Sequence, residues 1–196
     1  KLEEAKAQGE EHKKRRQDEV AEEVKDRFEK YIDSSDHAYL VAKKVLNNCG
    51  LKEQAGSLVV PLYDSTTGQM RSLQYITKQG RKRFVSASEV KGNVFPIGFQ
   101  LSQLKDLERL VIVEGVATGV SINLATNWPV LVVFSATFGL EAIQKIRQKT
   151  QARLIIAFDN DKSGVGQQNA DECVKSFVNT TSNLPSIIGD YNDLHQ

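Results

Sequence analysis

Leu154-Ile155-Ile156-Ala157-Phe158-Asp159-Asn160-Asp161 sets an unbroken apolar run directly against an Asp-x-Asp, and Val111-Ile112-Val113-Glu114-Gly115 does the same with a single Glu. Runs this short and this uniformly apolar are strands buried on both faces. Two further runs, Val130 to Phe134 and Ile187 to Ile188, fall in the same half of the chain. Between the runs lie helical patterns at Val116 to Thr126, Gly139 to Lys149 and Gly164 to Val178. Strand and helix in alternation predict an α/β fold, a mostly parallel sheet flanked by helices. Ligands of such a sheet gather outside the carboxyl ends of its strands, where Glu114 and Asp159 stand. Asp161 can turn back toward the same point if its loop is tight, and Ser163-Gly164-Val165-Gly166 supplies flexibility. Fixed Glu and Asp-x-Asp carboxylates are hard oxygen ligands, suited to Mg²⁺ or Mn²⁺ and phosphate chemistry rather than to zinc or redox work.

Upstream the pattern is different. Lys1 to Tyr31 is almost wholly charged residues, Ala and Gln, with Val20, Val24, Phe28 and Ile32 spaced by four. That spacing predicts a long, exposed helix with one narrow apolar stripe. Its cluster Lys13-Lys14-Arg15-Arg16 could touch nucleic acid, but acids flank it on both sides, which favours a solvated linker helix. Asp33 to Asp36 supplies helix stop and cap chemistry, and a second helix is expected over His37 to Asn47, closed by Gly50. Leu58 to Leu62 and Met70 to Ile76 flank Asp64 to Gly68 as a β-hairpin, and a third strand includes Lys82 to Val85. The chain therefore divides into a charged linker helix (1–32), a small basic α+β lobe (33–98) and an α/β lobe (99–196). At the C-terminus, Gly189-Asp190-Tyr191-Asn192-Asp193 brings Asp190 and Asp193 to the acidic rim if Pro185 to Ile188 is a neighbouring strand.

Composition limits the alternatives. A net charge of +1 over 196 residues excludes a polycation, so any nucleic-acid surface must come from local clusters of Lys and Arg. Cys49 and Cys173 stand alone, without the spacing of a zinc site, and His12, His37 and His195 are too scattered for a ligand set. Trp128-Pro129 reads as a strand entry, and Tyr191 as a packing or turn residue. No run approaches membrane-spanning length and no signal peptide opens the chain, so a cytoplasmic protein with no membrane partner is expected. A chain that opens on Lys1 reads as a fragment of something longer.

Glu114-Gly115 after one strand and Asp159-Asn160-Asp161 after a later one resemble the Toprim pattern of topoisomerases, primases, nucleases and recombination proteins. The resemblance implies that Glu114, Asp159 and Asp161 are catalytic, and that with Asp190 and Asp193 they hold Mg²⁺ or Mn²⁺. His37-Ala38-Tyr39-Leu40-Val41-Ala42-Lys43, Lys82-Arg83-Phe84-Val85-Ser86 and Val90-Lys91-Gly92 resemble the core of DnaG-type primases. Glu114-Gly115-Val116-Ala117-Thr118 is similar to mobile-element primases of phages or plasmids, and Gly189 to Leu194 to the end of the primase-helicase core. These likenesses imply DNA primase activity, a DNA-directed RNA polymerase making short RNA primers on single-stranded DNA by two-metal nucleotidyl transfer. Template and nucleoside triphosphates would be bound by Lys43, Arg71, Lys82, Arg83, Lys91 and Lys162, and a replicative helicase, fused or separate, would be the partner. Thr118 stands where many primases carry Asp, and Gln74 near where an Arg is expected. Two other readings of the same acids are a metal-dependent nuclease and a non-catalytic module that binds single strands or docks a helicase.

Overall fold

The computed structural model describes residues 2–34, 36–45 and 49–195. Strands Arg109–Val113 (β7), Val130–Val132 (β8), Arg153–Ile156 (β9) and Thr180–Ser182 (β10) are parallel, in the order β8-β7-β9-β10. Their connections are helices Val116–Thr126 (α3), Ala136–Arg147 (α4) and Val165–Ser176 (α5). Within β7 the side chains alternate: Val111 and Val113 pack on the α3 face with Val116, Ala117 and Val120, whereas Leu110 and Ile112 pack on the α4–α5 face. Burial on both faces is why β7, β8 and β9, past the Arg that opens β7 and β9, carry no polar residue to mark a solvent side. Gly139 falls inside α4 because the Phe158 ring edge lies where its Cβ would be, 2.5 Å away. The helix therefore starts three residues earlier than the sequence pattern suggests.

The fourth parallel strand is not the apolar run expected for it. Ile187 and Ile188 are exposed and only Gly189 makes a bridge, to Asn160; the strand is Thr180–Ser182. As the edge of the sheet it is half solvated, so its polar composition hides it.

The N-terminal lobe is an antiparallel meander: Ile32–Asp33 (β1), Lys52–Gln54 (β2), Ser57–Asp64 (β3), Met70–Thr77 (β4) and Lys82–Phe84 (β5). Asn93–Ile97 (β6) pairs antiparallel with β3 through Asn93 and Val94 and with β8 through Phe95 to Ile97, so one continuous sheet runs through both lobes. The 3-10 turn Leu101–Asp106 then leads into β7.

The long helix, Leu2–Glu29 (α1), is not merely a linker. Val20, Val24 and Phe28 are buried against Val59, Leu73 and Tyr75 on the outer face of β3–β4. Ile32 lies beyond the helix in β1 and is 70% exposed, so the stripe ends one turn earlier than its spacing implies. A second short helix, Ala38–Ala42 (α2), is capped by His37 rather than by the preceding acids: Nδ1 accepts from the Tyr39 amide at 3.2 Å. Its Nε2 therefore carries the hydrogen donated to the Gly56 carbonyl, 3.1 Å away. Leu46 and Asn47 of the helix expected there lie outside the described residues.

Candidate functional site

Register places the acids. Val113 sits opposite Val132 and Ile112 opposite Ile156, so β7, β8 and β9 end on one edge with Glu114 and Asp159 just beyond it. Glu114 joins three strand ends: Oε1 accepts from the Asp159 amide at 3.0 Å and Oε2 from the Ala136 amide at 2.9 Å. Ala136 is the first residue of α4, so the Glu114 carboxylate caps that helix and faces its positive end. Asp159 is half-buried, and its Oδ1 is buried with no hydrogen-bond partner among the described residues. Burial, then Glu114 and Asp190, push the Asp159 carboxyl up to about 7, with Lys82 opposing.

The last loop joins the same rim without help from a strand. Asp190 Oδ1 accepts from the amides of Asn192 (2.7 Å) and Asp193 (3.0 Å), and Asp193 Oδ2 returns to the Asp190 amide at 3.1 Å. These bonds start the terminal helix Tyr191–His195 (α6). The N-terminal lobe supplies cations to this rim. Lys43, at the end of α2, lies 3.2 Å from Asp193 and 3.8 Å from Asp190. Lys82 Nζ would sit 3.6 Å from a Cβ on Gly115. Phe84, two residues on and so on the same face of β5, packs edge-on against Phe134 at 6.0 Å.

Two residues that the sequence motifs contain, but to which they gave no role, lie within this arrangement. Asn192 is fully buried, and its Nδ2 donates to the Lys43 carbonyl and the Ser121 hydroxyl, both at 2.7 Å. Tyr39 lies under the acids, its phenol pushed up to about 12 by burial and then by Asp190, Asp159 and Asp193. The Asn192 role is carried by a bond across 149 residues, for which no local pattern exists.

Other expected site residues point elsewhere. Asp161 is exposed and turned into its own loop, accepting from the Ser163 amide (2.7 Å), the Ser163 hydroxyl and the Gly166 amide (3.4 Å). Hydrogen bonding by Ser163 holds its carboxyl below the ordinary range. Lys162 beside it is exposed. Arg71 pairs with Asp18 of α1 (2.6 Å) and Glu89 (2.8 Å), and Lys91 with Glu141 of α4 (3.0 Å). Arg83 lies on the opposite face of β5 from Lys82, stacked 4.6 Å over Tyr75. Tyr191 donates to the Asn183 carbonyl at 3.0 Å, a packing role. Thr118, in the place of the family's acid, is buried.

Residues 109–196 match the family model described as Toprim domain. The C-terminal lobe is a Toprim domain. Over 128 residues the chain is 30% identical to DNA primase TraC of Escherichia coli, a match that takes in 63% of this chain and spans only 9% of that relative. Both lobes align with primase structures. The primase fragment of the bacteriophage T7 primase-helicase superposes with a TM-score of 0.60 at 14% identity, covering 85% of this chain and 75% of that one. The DnaG primase catalytic domain bound to single-stranded DNA gives 0.60 at 11% identity, covering 93% and 77%. The Escherichia coli primase catalytic core gives 0.51 at 15%, covering 80% and 54%. The fold of the whole chain, Toprim lobe and basic lobe together, is thus that of primase catalytic cores.

The Toprim rim has the donor chemistry of a hard divalent cation: oxygen ligands only, like charges crowded together, and a buried carboxylate oxygen on Asp159 without a partner. Among the described residues, no three acidic, His or Cys side chains already form a cage around one point.

Proposed function

We propose that this chain is the polymerising core of a DNA primase, making RNA primers on single-stranded DNA from nucleoside triphosphates. The observation that carries the reading is the half-buried Asp159, flanked by Glu114 and Asp190 on the Toprim edge and faced by Lys43 and Lys82 of the basic lobe. Acids alone suit cleavage or transfer equally. Lysines from a second lobe, aimed at the same rim, suit an incoming polyanion that must be held beside the metal.

Asp159, Asp190 and Asp193 would hold Mg²⁺ or Mn²⁺, which when bound neutralises the triphosphate and the departing pyrophosphate. Glu114 keeps the Asp159 loop and the start of α4 at fixed positions through its two amide bonds. Lys82 offers a cation on the acid side of β5, and Lys43, held by Asp190 and Asp193, would exchange those carboxylates for phosphate oxygens. Asp161 and Lys162, exposed on the adjoining loop, belong to the same proposal as outer ligands for the nucleotide. Among the described residues no helix is long and apolar enough to cross a membrane. A cytoplasmic replication role beside a helicase, fused or separate, fits the T7 likeness, and so does the division into linker helix, basic lobe and Toprim lobe.

Incorporation of labelled ribonucleotides on single-stranded DNA with Mg²⁺ or Mn²⁺ tests the reading. Asp159→Asn, and the double variant Glu114→Gln with Asp159→Asn, are expected to lose on the order of 10²-fold or more. Wild-type synthesis by both would sink it. Metal-dependent strand cleavage without synthesis would point to a nuclease, and strand binding without turnover to a docking module.

A further inference from the structure

The two faces of the Toprim sheet are covered unequally. α4 and α5 lie over one face, whereas on the other α3 packs over β7 and β8 and the cover thins toward β9 and β10. Parallel strands are ordinarily covered on both sides. Here Ile155 of β9 is partly exposed, and Thr181, its register partner on β10, is exposed. A cavity of about 310 Å³ opens at this place, lined by Val111 and Ile155 of the sheet, Ile122 and Ala125 of α3, Trp128, and Leu194 of α6. The same face carries two arginines at the start of the strands: Arg109 shares it with Val111, and Arg153 with Ile155. Arg109 stands beside Arg153 in the register, and its guanidinium lies 4.9 Å over the Trp128 ring. Both arginines are exposed and neither has an ion pair among the described residues. Like charges on facing positions of neighbouring strands repel, so the pair costs stability unless an anion meets it.

We propose that this groove docks a short amphipathic helix of a partner protein, apolar along one side and acidic at one end, with its carboxylates on Arg109 and Arg153. The run from Arg153 to Ala157 spans roughly 13 Å at the rise of a strand, about two and a half turns of helix. Apolar side chains one turn apart would fill the space over Val111 and Ile155, and the forked guanidinium groups would take the acids. Charge complementarity decides the occupant. Two arginines at one end of an aliphatic floor suit a ligand whose charge is at one end. A nucleic-acid strand carries charge at every residue and would lay phosphates over the aliphatic floor, and Arg109 already covers the Trp128 ring on which a base would stack. Leu194 in the lining adjoins Asp193 of the acidic rim, so a partner seated here lies next to the acids without covering them. The proposal does not rest on the primase reading.

The probe is a labelled helical peptide of about twelve residues, with leucines at i, i+3, i+4 and i+7 and glutamates in its first turn, beside a copy with lysines for the glutamates. Trp128 is the only tryptophan of the chain, so its emission reports the groove while anisotropy reports affinity. The acidic peptide is expected to bind about tenfold or more tightly than the basic one, with a saturable change in Trp128 emission, and KCl should narrow the gap. Arg109→Glu with Arg153→Glu is expected to reverse the preference, a gain that an unfolded variant could not show. Ala125→Glu, on the exposed side of α3, should weaken the acidic peptide without touching the core. No saturable binding of the acidic peptide by the wild type, equal affinity for the two peptides, or an unchanged preference in the double variant would each overturn the proposal. Displacement of the acidic peptide by an oligothymidylate would do the same, marking a nucleic-acid surface instead. Failure of the wild type to incorporate nucleotides would sink the primase reading and leave the groove standing.

Discussion

Asp159 is held in an unfavourable state by its surroundings. Its carboxyl is half-buried, one oxygen lacks a partner, and Glu114 and Asp190 repel its charge. Folding thus raises its pKa from 3.8 to about 7, so between those values the folded chain holds a proton that the unfolded chain releases. The resulting contribution is fully present below about pH 4 and is lost as pH rises to about 7. Thermal melts of the metal-free protein in EDTA should accordingly show a higher midpoint for Asp159→Asn than for wild type at pH 8, with the gap closing toward pH 4. An equal gap at both ends would show that burial and charge crowding are not its cause. Glu114 was equally visible as an acid at a strand end, but its use as a cap for α4 was not. The Ala136 amide lies beyond another strand, and only the parallel register brings it within 2.9 Å.

Elements were legible where both faces are buried and obscure at the margins. Leu110 to Val113, Val130 to Val132 and Leu154 to Ile156 announce themselves as apolar runs because helices cover them on both sides. Thr180–Ser182 does not, being an edge, while the apolar Ile187-Ile188 is exposed loop. In α1 the Val20–Val24–Phe28 spacing was visible, but charged residues around it suggested solvent on every side. The structure shows that so narrow a stripe suffices, because the outer face of β3–β4 offers Val59, Leu73 and Tyr75 to receive it. In β5 the run Lys82-Arg83 looked like one basic patch, whereas the two-residue period of a strand sends its members to opposite sides. If α1 is part of the core, Phe28→Ala should destabilise the basic lobe by about 3 kcal/mol, read as a shift in the denaturant midpoint. A freely solvated linker helix would show a change of only a few tenths.

The two lobes are fastened to one another at several places. β6 threads them into a single sheet by pairing with both β3 and β8. On the α4 side, Lys145 reaches Asp64 at 3.4 Å and Lys149 donates to the Thr66 carbonyl, so the hairpin turn of the basic lobe is tied to the Toprim lobe. At the acidic rim the tie is Asn192, whose amide reaches the Lys43 carbonyl of α2 and the Ser121 hydroxyl of α3. That last link matters most for function, because it sets Lys43 against Asp190 and Asp193 at a fixed height. Asn192→Ala removes both bonds and leaves the Lys43 carbonyl without that donor, an expected cost of about 2 kcal/mol. Since β6 and α4 still hold the lobes, the loss should be local. Hydrogen–deuterium exchange is expected to speed at the α2 and α6 amides and to stay slow in β3, β6 and β8. Uniform acceleration across the sheet would mean that Asn192 supports the whole fold, and no change in α2 would mean that Lys43 is placed by its ion pairs alone.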